Sequence, residues 1–146
     1  MNPYQAISTI MTPKPFCLDE NVSYYQIKAA FEEHDFHHIL IVDQQEELKG
    51  IVSRKDVAKI EHTLTLQTSG RTYSVNTLLS TPASRIMTPN PVVLNVDDTI
   101  GFAADIFLVN RIHALPIVDD NQLVGIVTTH DLLKFAFNKI PLTAEE

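Results

Sequence analysis

Eight residues near the start of the chain, Ser8-Thr9-Ile10-Met11-Thr12-Pro13-Lys14-Pro15, return as Ser84-Arg85-Ile86-Met87-Thr88-Pro89-Asn90-Pro91. The same offset of 76 residues pairs Leu18 with Leu94, Phe31 with Phe107 and His37 with His113, and it pairs Ile41-Val42-Asp43 with Ile117-Val118-Asp119. One deletion then shifts the offset to 75, so that Gly50-Ile51-Val52-Ser53 meets Gly125-Ile126-Val127-Thr128 and Asp56 meets Asp131. The gap falls where Asp43-Gln44-Gln45-Glu46-Glu47 faces Asp119-Asp120-Asn121-Gln122, a polar turn that tolerates it. A duplication constrains the fold more than any single element does. Each copy must fold alike, and a unit of about 50 residues buries too little surface to be secure alone.

Length and charge narrow the rest. A chain of 146 residues suits one ordinary domain, or two small units sharing a core. Eleven Lys and Arg stand against eighteen Asp and Glu, for a net charge of −7, which argues against nucleic acid because no basic surplus exists to displace phosphate counterions. Apolar runs fall well short of the ~20 residues of a membrane span, and the start of the chain lacks the basic and apolar regions of a signal peptide. Cys17 is the only cysteine, which excludes an intrachain disulfide and a thiolate metal cluster. A cytoplasmic, acidic globular protein with no membrane contact is the expectation.

Each copy reads as the same series of elements. The Met-Thr-Pro-x-Pro segment opens it in extended form, since proline disfavours helix at and before its position. A helix follows, with Tyr24, Ile27 and Phe31 on one stripe in copy one and Ile100, Ala103, Ala104 and Phe107 in copy two. Ser23 and Thr99 stand where N-caps belong. Two short apolar strands come next, 39–42 with 48–52 and 115–118 with 123–127, joined by turns that suit antiparallel hairpins. A second helix begins near Arg54 and Thr129. The predicted class is α/β (α+β): two β-α-β-β-α units packed sheet to sheet about a pseudo-twofold axis, with a cleft between them. The boundaries are 6–62 and 82–138. A linker at 63–81 is long enough to hold a short helix or a flap, and the tail covers 139–146.

The doubled series of Ile-Met-Thr-Pro-x-Pro, His-x-Leu-Pro-Ile-Val-Asp and Gly-Ile-Val-[Ser/Thr]-x-x-Asp resembles a tandem pair of CBS domains, the Bateman module named from cystathionine β-synthase. Copy one departs from the pattern at Leu40, where copy two has Pro116, and Lys55 faces His130. The resemblance implies a non-catalytic regulatory module that binds AMP, ADP, ATP or S-adenosylmethionine between the copies, requires no other cofactor and forms a homodimer. It also implies a separate regulated enzyme or transporter. The site residues it implies in copy one are Thr12, Cys17, Phe36, His37, His38, Ile51, Ser53 and Asp56; in copy two they are Thr88, Val93, Ile112, His113, Ala114, Ile126, Thr128 and Asp131.

The residues can support that chemistry. Ser53 and Thr128 each place a hydroxyl at a strand-to-helix junction, where unpaired N–H groups and the helix dipole favour a phosphate. Asp56 and Asp131, three residues on, are acceptors suited to the two donor hydroxyls of a ribose. Arg54, Lys55 and His130 supply positive charge, His130 in a pH-dependent way. The same Ser-x-x-Asp and Thr-x-x-Asp spacings are also capping boxes that need no ligand, and Ile51, Ile126, Val93 and Ile112 serve equally as purine contacts or as packing. A structural dimerisation adaptor without ligand is therefore the alternative. His34, Asp35, His37 and His38 cluster in sequence but straddle a helix end and a strand start, so no metal site is expected. Nothing around Cys17 suggests an activated thiolate, and catalysis is not expected.

Overall fold

The computed structural model describes residues 2–67 and 72–137. Ser69-Gly70 of the expected linker and the expected tail at 139–146 lie outside the described residues. In chain order the strands are β1 (Thr12–Pro13), β2 (Cys17–Asp19), β3 (His38–Val42), β4 (Leu48–Ser53), β5 (Thr88–Pro89), β6 (Leu94–Asn95), β7 (Ala114–Asp119) and β8 (Gln122–Thr128). The helices are α1 (Tyr24–Glu33), α2 (Arg54–Gln67), α3 (Thr72–Leu79), α4 (Ile100–Val109) and α5 (Thr129–Phe137). This is a mixed α/β chain with two four-stranded sheets, ordered β2-β3-β4-β5 and β6-β7-β8-β1.

The sheets do not follow the repeat boundaries. One compact unit is Phe16–Pro91, and the other joins Met1–Pro15 to Val92–Glu146. The segment that opens copy one thus completes the sheet of copy two, with Thr12 opposite Ile126 and Pro13 opposite Gly125. The segment that opens copy two completes the sheet of copy one, with Thr88 opposite Ile51 and Pro89 opposite Gly50. Two-residue strands have little hold of their own, and here a methionine adds to it. Met87 lies across Gly50 and Met11 across Gly125, in the space that a Cβ would fill.

Local sequence explains the remaining elements. Ser23 caps α1 through a reciprocal box with Gln26, and Thr99 accepts from the Phe102 N–H at the start of α4. Tyr24, Ile27, Ala30 and Phe31 turn inward from α1 to meet Ile39, Ile41 and Val52. Ile100 and Ala103 of α4 meet Leu94, Leu115, Ile117 and Val127 in the second unit. Between copies, Ile27 becomes Ala103 while Ala30 becomes Ile106, so large and small side chains trade places and the core volume is kept. The hairpin turns differ where the sequence has its gap. Asp120 and Asn121 both take positive φ in a two-residue turn, whereas the longer first-copy turn is gathered by Asp43, which accepts from the Gln45 and Glu47 N–H groups. The expected linker is largely helical: α2 continues to Gln67, and α3 packs against α1.

Candidate functional site

Each strand-to-helix junction is closed by two side chains. At the end of β4 the Ser53 N–H donates to Asp56 Oδ2 at 2.9 Å, and the Asp56 N–H donates to Ser53 Oγ at 3.1 Å. At the end of β8 the Thr128 N–H donates to Asp131 Oδ2 at 2.9 Å, and the Asp131 N–H to Thr128 Oγ1 at 3.2 Å. Both spacings are therefore real capping boxes. One oxygen of each carboxylate remains: Oδ1 of Asp56 and of Asp131 takes no hydrogen bond among the described residues. Behind each box the first helical N–H is tied to the preceding loop, Arg54 to the His37 carbonyl at 2.9 Å and Thr129 to the His113 carbonyl at 3.1 Å.

Strand register sets the floor beside each box. Cys17, Leu40, Ile51 and Thr88 lie directly opposite one another across β2, β3, β4 and β5. Pro116, Ile126 and Thr12 form the matching row across β7, β8 and β1. Residues in register share a sheet face, and the face alternates along a strand. Ile51 and Ser53 therefore look one way while buried Val52 looks into the core, and Ile126 and Thr128 do the same around Val127. His38 sits opposite Ser53, and Ala114 opposite Thr128, two positions along the same rows.

This regroups the candidate residues. Thr88, not Thr12, accompanies Ile51, Ser53 and Asp56; Thr12, not Thr88, accompanies Ile126, Thr128 and Asp131. Cys17, Phe36, His38, Ile51, Ser53 and Asp56 are half-buried, as are Ile112, Ile126, Thr128 and Asp131. His37, Lys55, Val93, His113, His130 and the two threonines are exposed, and Ala114 is buried. Leu40 and Pro116 complete the rows without having been picked out as site residues; both are buried, on the sheet face opposite the helix-covered core.

Arg54 has a different task from the one its position suggests. One terminal guanidinium nitrogen donates to the carbonyls of Phe31, His34 and Phe36 at 2.8, 2.8 and 2.9 Å, and the group lies 5.2 Å from the centre of the Phe31 ring. It satisfies the open carbonyl end of α1 and is not aimed at an anion. Charge near the first-copy box comes from exposed Lys55 in the first turn of α2, and His130 occupies that position in α5. Phe36 stacks on both Phe16 and His34, with ring centres 4.9 Å away in each case, and those two rings are 5.3 Å from each other. His34 is thus held by aromatic packing, and no three His, Cys, Asp or Glu side chains converge among the described residues. Burial, with the charge of Glu46 second, pushes the Cys17 thiol up and keeps it protonated.

Comparison with known proteins places this geometry. The family model described as CBS domain matches residues 7–62 and again 83–138. The CBS domain-containing protein YhcV of Bacillus subtilis is 28% identical over 127 residues, covering 87% of this chain and 82% of that one. The CBS domain pair of protein MJ0100, solved in complex with 5-methylthioadenosine and S-adenosyl-L-methionine, superposes with a TM-score of 0.76 at 25% identity; the match covers 94% of this chain and all (100%) of that one. CBSX2, solved in complex with AMP, gives a TM-score of 0.75 at 22% identity over 91% and 96% of the two chains, a likeness of fold. Where the relatives are longer enzymes, the chain spans only 23% and 18% of their length. Among the described residues no helix is long and apolar enough to cross a membrane.

Proposed function

Because this chain belongs to the CBS-domain family and carries that domain twice, we propose that it is a non-catalytic sensor of an adenosyl ligand, AMP, ADP, ATP or S-adenosylmethionine. It acts as a homodimer in the cytoplasm and reports its ligand state to a separate enzyme or transporter. One observation carries this reading: in both units a cross-strand row containing Ile51 or Ile126 lies beside a helix N-terminus bearing a hydroxyl and a carboxylate with one oxygen that takes no hydrogen bond among the described residues. Ile51 and Ile126, the half-buried apolar members of these rows, offer an apolar contact to a purine. The unused oxygen accepts from ribose hydroxyls, and the helix end favours a phosphate or carboxylate. A ligand that prefers one conformation shifts its population, and shifts it only by that preference. The adenosyl ligands of the MJ0100 pair support the class of molecule.

The completed boxes favour a second reading, in which the junctions are caps and the protein is an adaptor without ligand. Asp56→Ala and Asp131→Ala separate the two. Each loses roughly 0.5–2 kcal/mol of stability from the cap in either case. The sensor reading expects at least a tenfold loss of affinity in addition, measured by titration at a temperature where both variants stay folded. An affinity unchanged in both variants removes the carboxylates from the site.

A further inference from the structure

Two thioethers hold the exchanged strands. Of the three methionines in the chain, Met11 and Met87 immediately precede β1 and β5, the two-residue strands that each complete the sheet of the other copy. The Met87 sulfur lies over Gly50 and the Met11 sulfur over Gly125, each in the space that a Cβ there would fill. Both side chains also pack on the hydrophobic core of the unit that their strand joins, and both residues are half-buried. Just past each strand one backbone bond continues the attachment. The Lys14 N–H donates to the Val124 carbonyl at 3.2 Å, and the Asn90 N–H to the Lys49 carbonyl at 3.0 Å.

The thioethers, rather than the one thiol, answer an oxidant. A thiol reacts as its thiolate, and burial keeps Cys17 protonated. A thioether has no proton to lose, and its sulfur lone pair is available at any pH. With a peroxide the step is the transfer of one oxygen atom. The lone pair attacks one peroxide oxygen and the O–O bond breaks; the departing hydroxide takes the proton from the transferred oxygen and leaves as water. Sulfur loses two electrons and the peroxide gains them. The sulfoxide is polar and one oxygen larger. It finds no room on the glycine side, where even a methyl group would collide with the sulfur. Its oxygen keeps its water only by turning from the core, which lifts the side chain off the glycine. We propose that Met11 and Met87 are reversible oxidation sites whose sulfoxides unfasten β1 and β5. The next residues, Thr12 and Thr88, are the edge members of the two rows beside the boxes, so the edge of each row loosens with its strand.

Hydrogen peroxide on the full chain tests it, with peptide mass mapping to locate the added oxygen and circular dichroism to confirm folding. One oxygen is gained at each of Met11 and Met87, while Cys17 still reacts with a thiol reagent after denaturation. Amide hydrogen exchange at Lys14 and Asn90 then quickens by about tenfold or more, and exchange in the middle of α1 and α4 keeps its rate. Methionine sulfoxide reductases for both sulfoxide epimers restore the slow exchange. Met11→Leu and Met87→Leu keep the volume without the sulfur, and each abolishes the peroxide response of its own strand alone. If a leucine variant fails to fold, the reductase reversal in the wild type carries the test. Methionines left intact when Cys17 is oxidised overturn the choice of site. Oxidised methionines with unchanged exchange at Lys14 and Asn90 overturn the unfastening, and a response that persists in the leucine variants overturns its cause.

Discussion

The two units share one sheet order, one pair of capping boxes and one methionine laid over a glycine, yet they close their helix layers by different chemistry. The first-copy unit is tied by polar groups that reach far along the chain: Arg54 to two carbonyls at the end of α1 and one in the loop after it, and Tyr24 and Lys28 to Glu61. In the second, Thr129, Ile100, Ala104 and Ala136 stand at those positions, and the groove between α4 and α5 is lined by no charged side chain among the described residues. A duplicated fold keeps what the backbone demands and lets the copies diverge where only side chains are involved. The shared features belong to the sheet and its junctions, and there the proposed ligand chemistry lies.

The strongest test of this contrast is Arg54→Ala. It strands three carbonyls and removes the contact on Phe31, and should cost about 2–3 kcal/mol in chemical denaturation. Thr129→Ala at the matching position should cost less than about 0.5 kcal/mol.

The glycines sharpen the shared side of the comparison. Gly50→Ala and Gly125→Ala should each destabilise by about 1–3 kcal/mol, because the methyl group displaces a packed methionine. Shortening the methionine recovers part of the loss in each unit. At Gly50, Met87→Ala removes the obstructing Sδ and Cγ but keeps the Met87 Cβ, 2.9 Å from the new methyl carbon, so it should offset only part of the Gly50→Ala loss. At Gly125 the Thr12 carbonyl oxygen also stands 3.0 Å from the new Cβ, so Met11→Ala should recover only part of it. Paired thermal melts of single and double variants measure both couplings.

Alkaline unfolding offers a subtler contrast. Burial, followed by the charge of Glu61, pushes the Tyr24 hydroxyl from its ordinary value near 10 up to about 12. The raised value means the folded state favours the neutral phenol. That contribution is complete below pH 10 and is lost as pH climbs through about 12. Tyr24→Phe should remove this component of the stability–pH curve, and the corresponding Ile100 contributes nothing to it. The smallest effect belongs to the leading segments, where Lys14 and Asn90 both sit at φ 49°. Asparagine tolerates this left-handed region better than lysine, so Lys14→Asn should stabilise by about 0.5 kcal/mol and Asn90→Lys should destabilise by a similar amount.

Much of the fold was legible in the sequence because its signals are local. Helical stripes, the caps at Ser23 and Thr99, the hairpins and the starts of α2 and α5 at Arg54 and Thr129 all follow from neighbouring residues. The exchange of leading segments was not legible. Strands β1 and β5 are two residues long, too short for any period, and their partners are fixed by the fit of Met11 and Met87 over distant glycines. Arg54 misled for a similar reason. A basic residue at a helix start suggests an anion, and nothing nearby reveals that its side chain reaches back 18 to 23 residues to backbone carbonyls. The Thr63-Leu64-Thr65-Leu66 alternation, with no helical period, hid the continuation of α2 to Gln67. The site was half legible: the hydroxyl–carboxylate pairs stand out by spacing, but Leu40 and Pro116 enter it only through register.

Calorimetric titration of nucleotide-stripped protein with AMP, then ATP and S-adenosylmethionine, tests the central claim most directly. Saturable binding of at least one is expected, and a ligand at ~100 times its dissociation constant should add about 2.7 kcal/mol of stability in a parallel melt. No heat and no melting shift with any of the three would contradict the adenosyl-sensor reading and leave the two boxes as helix caps.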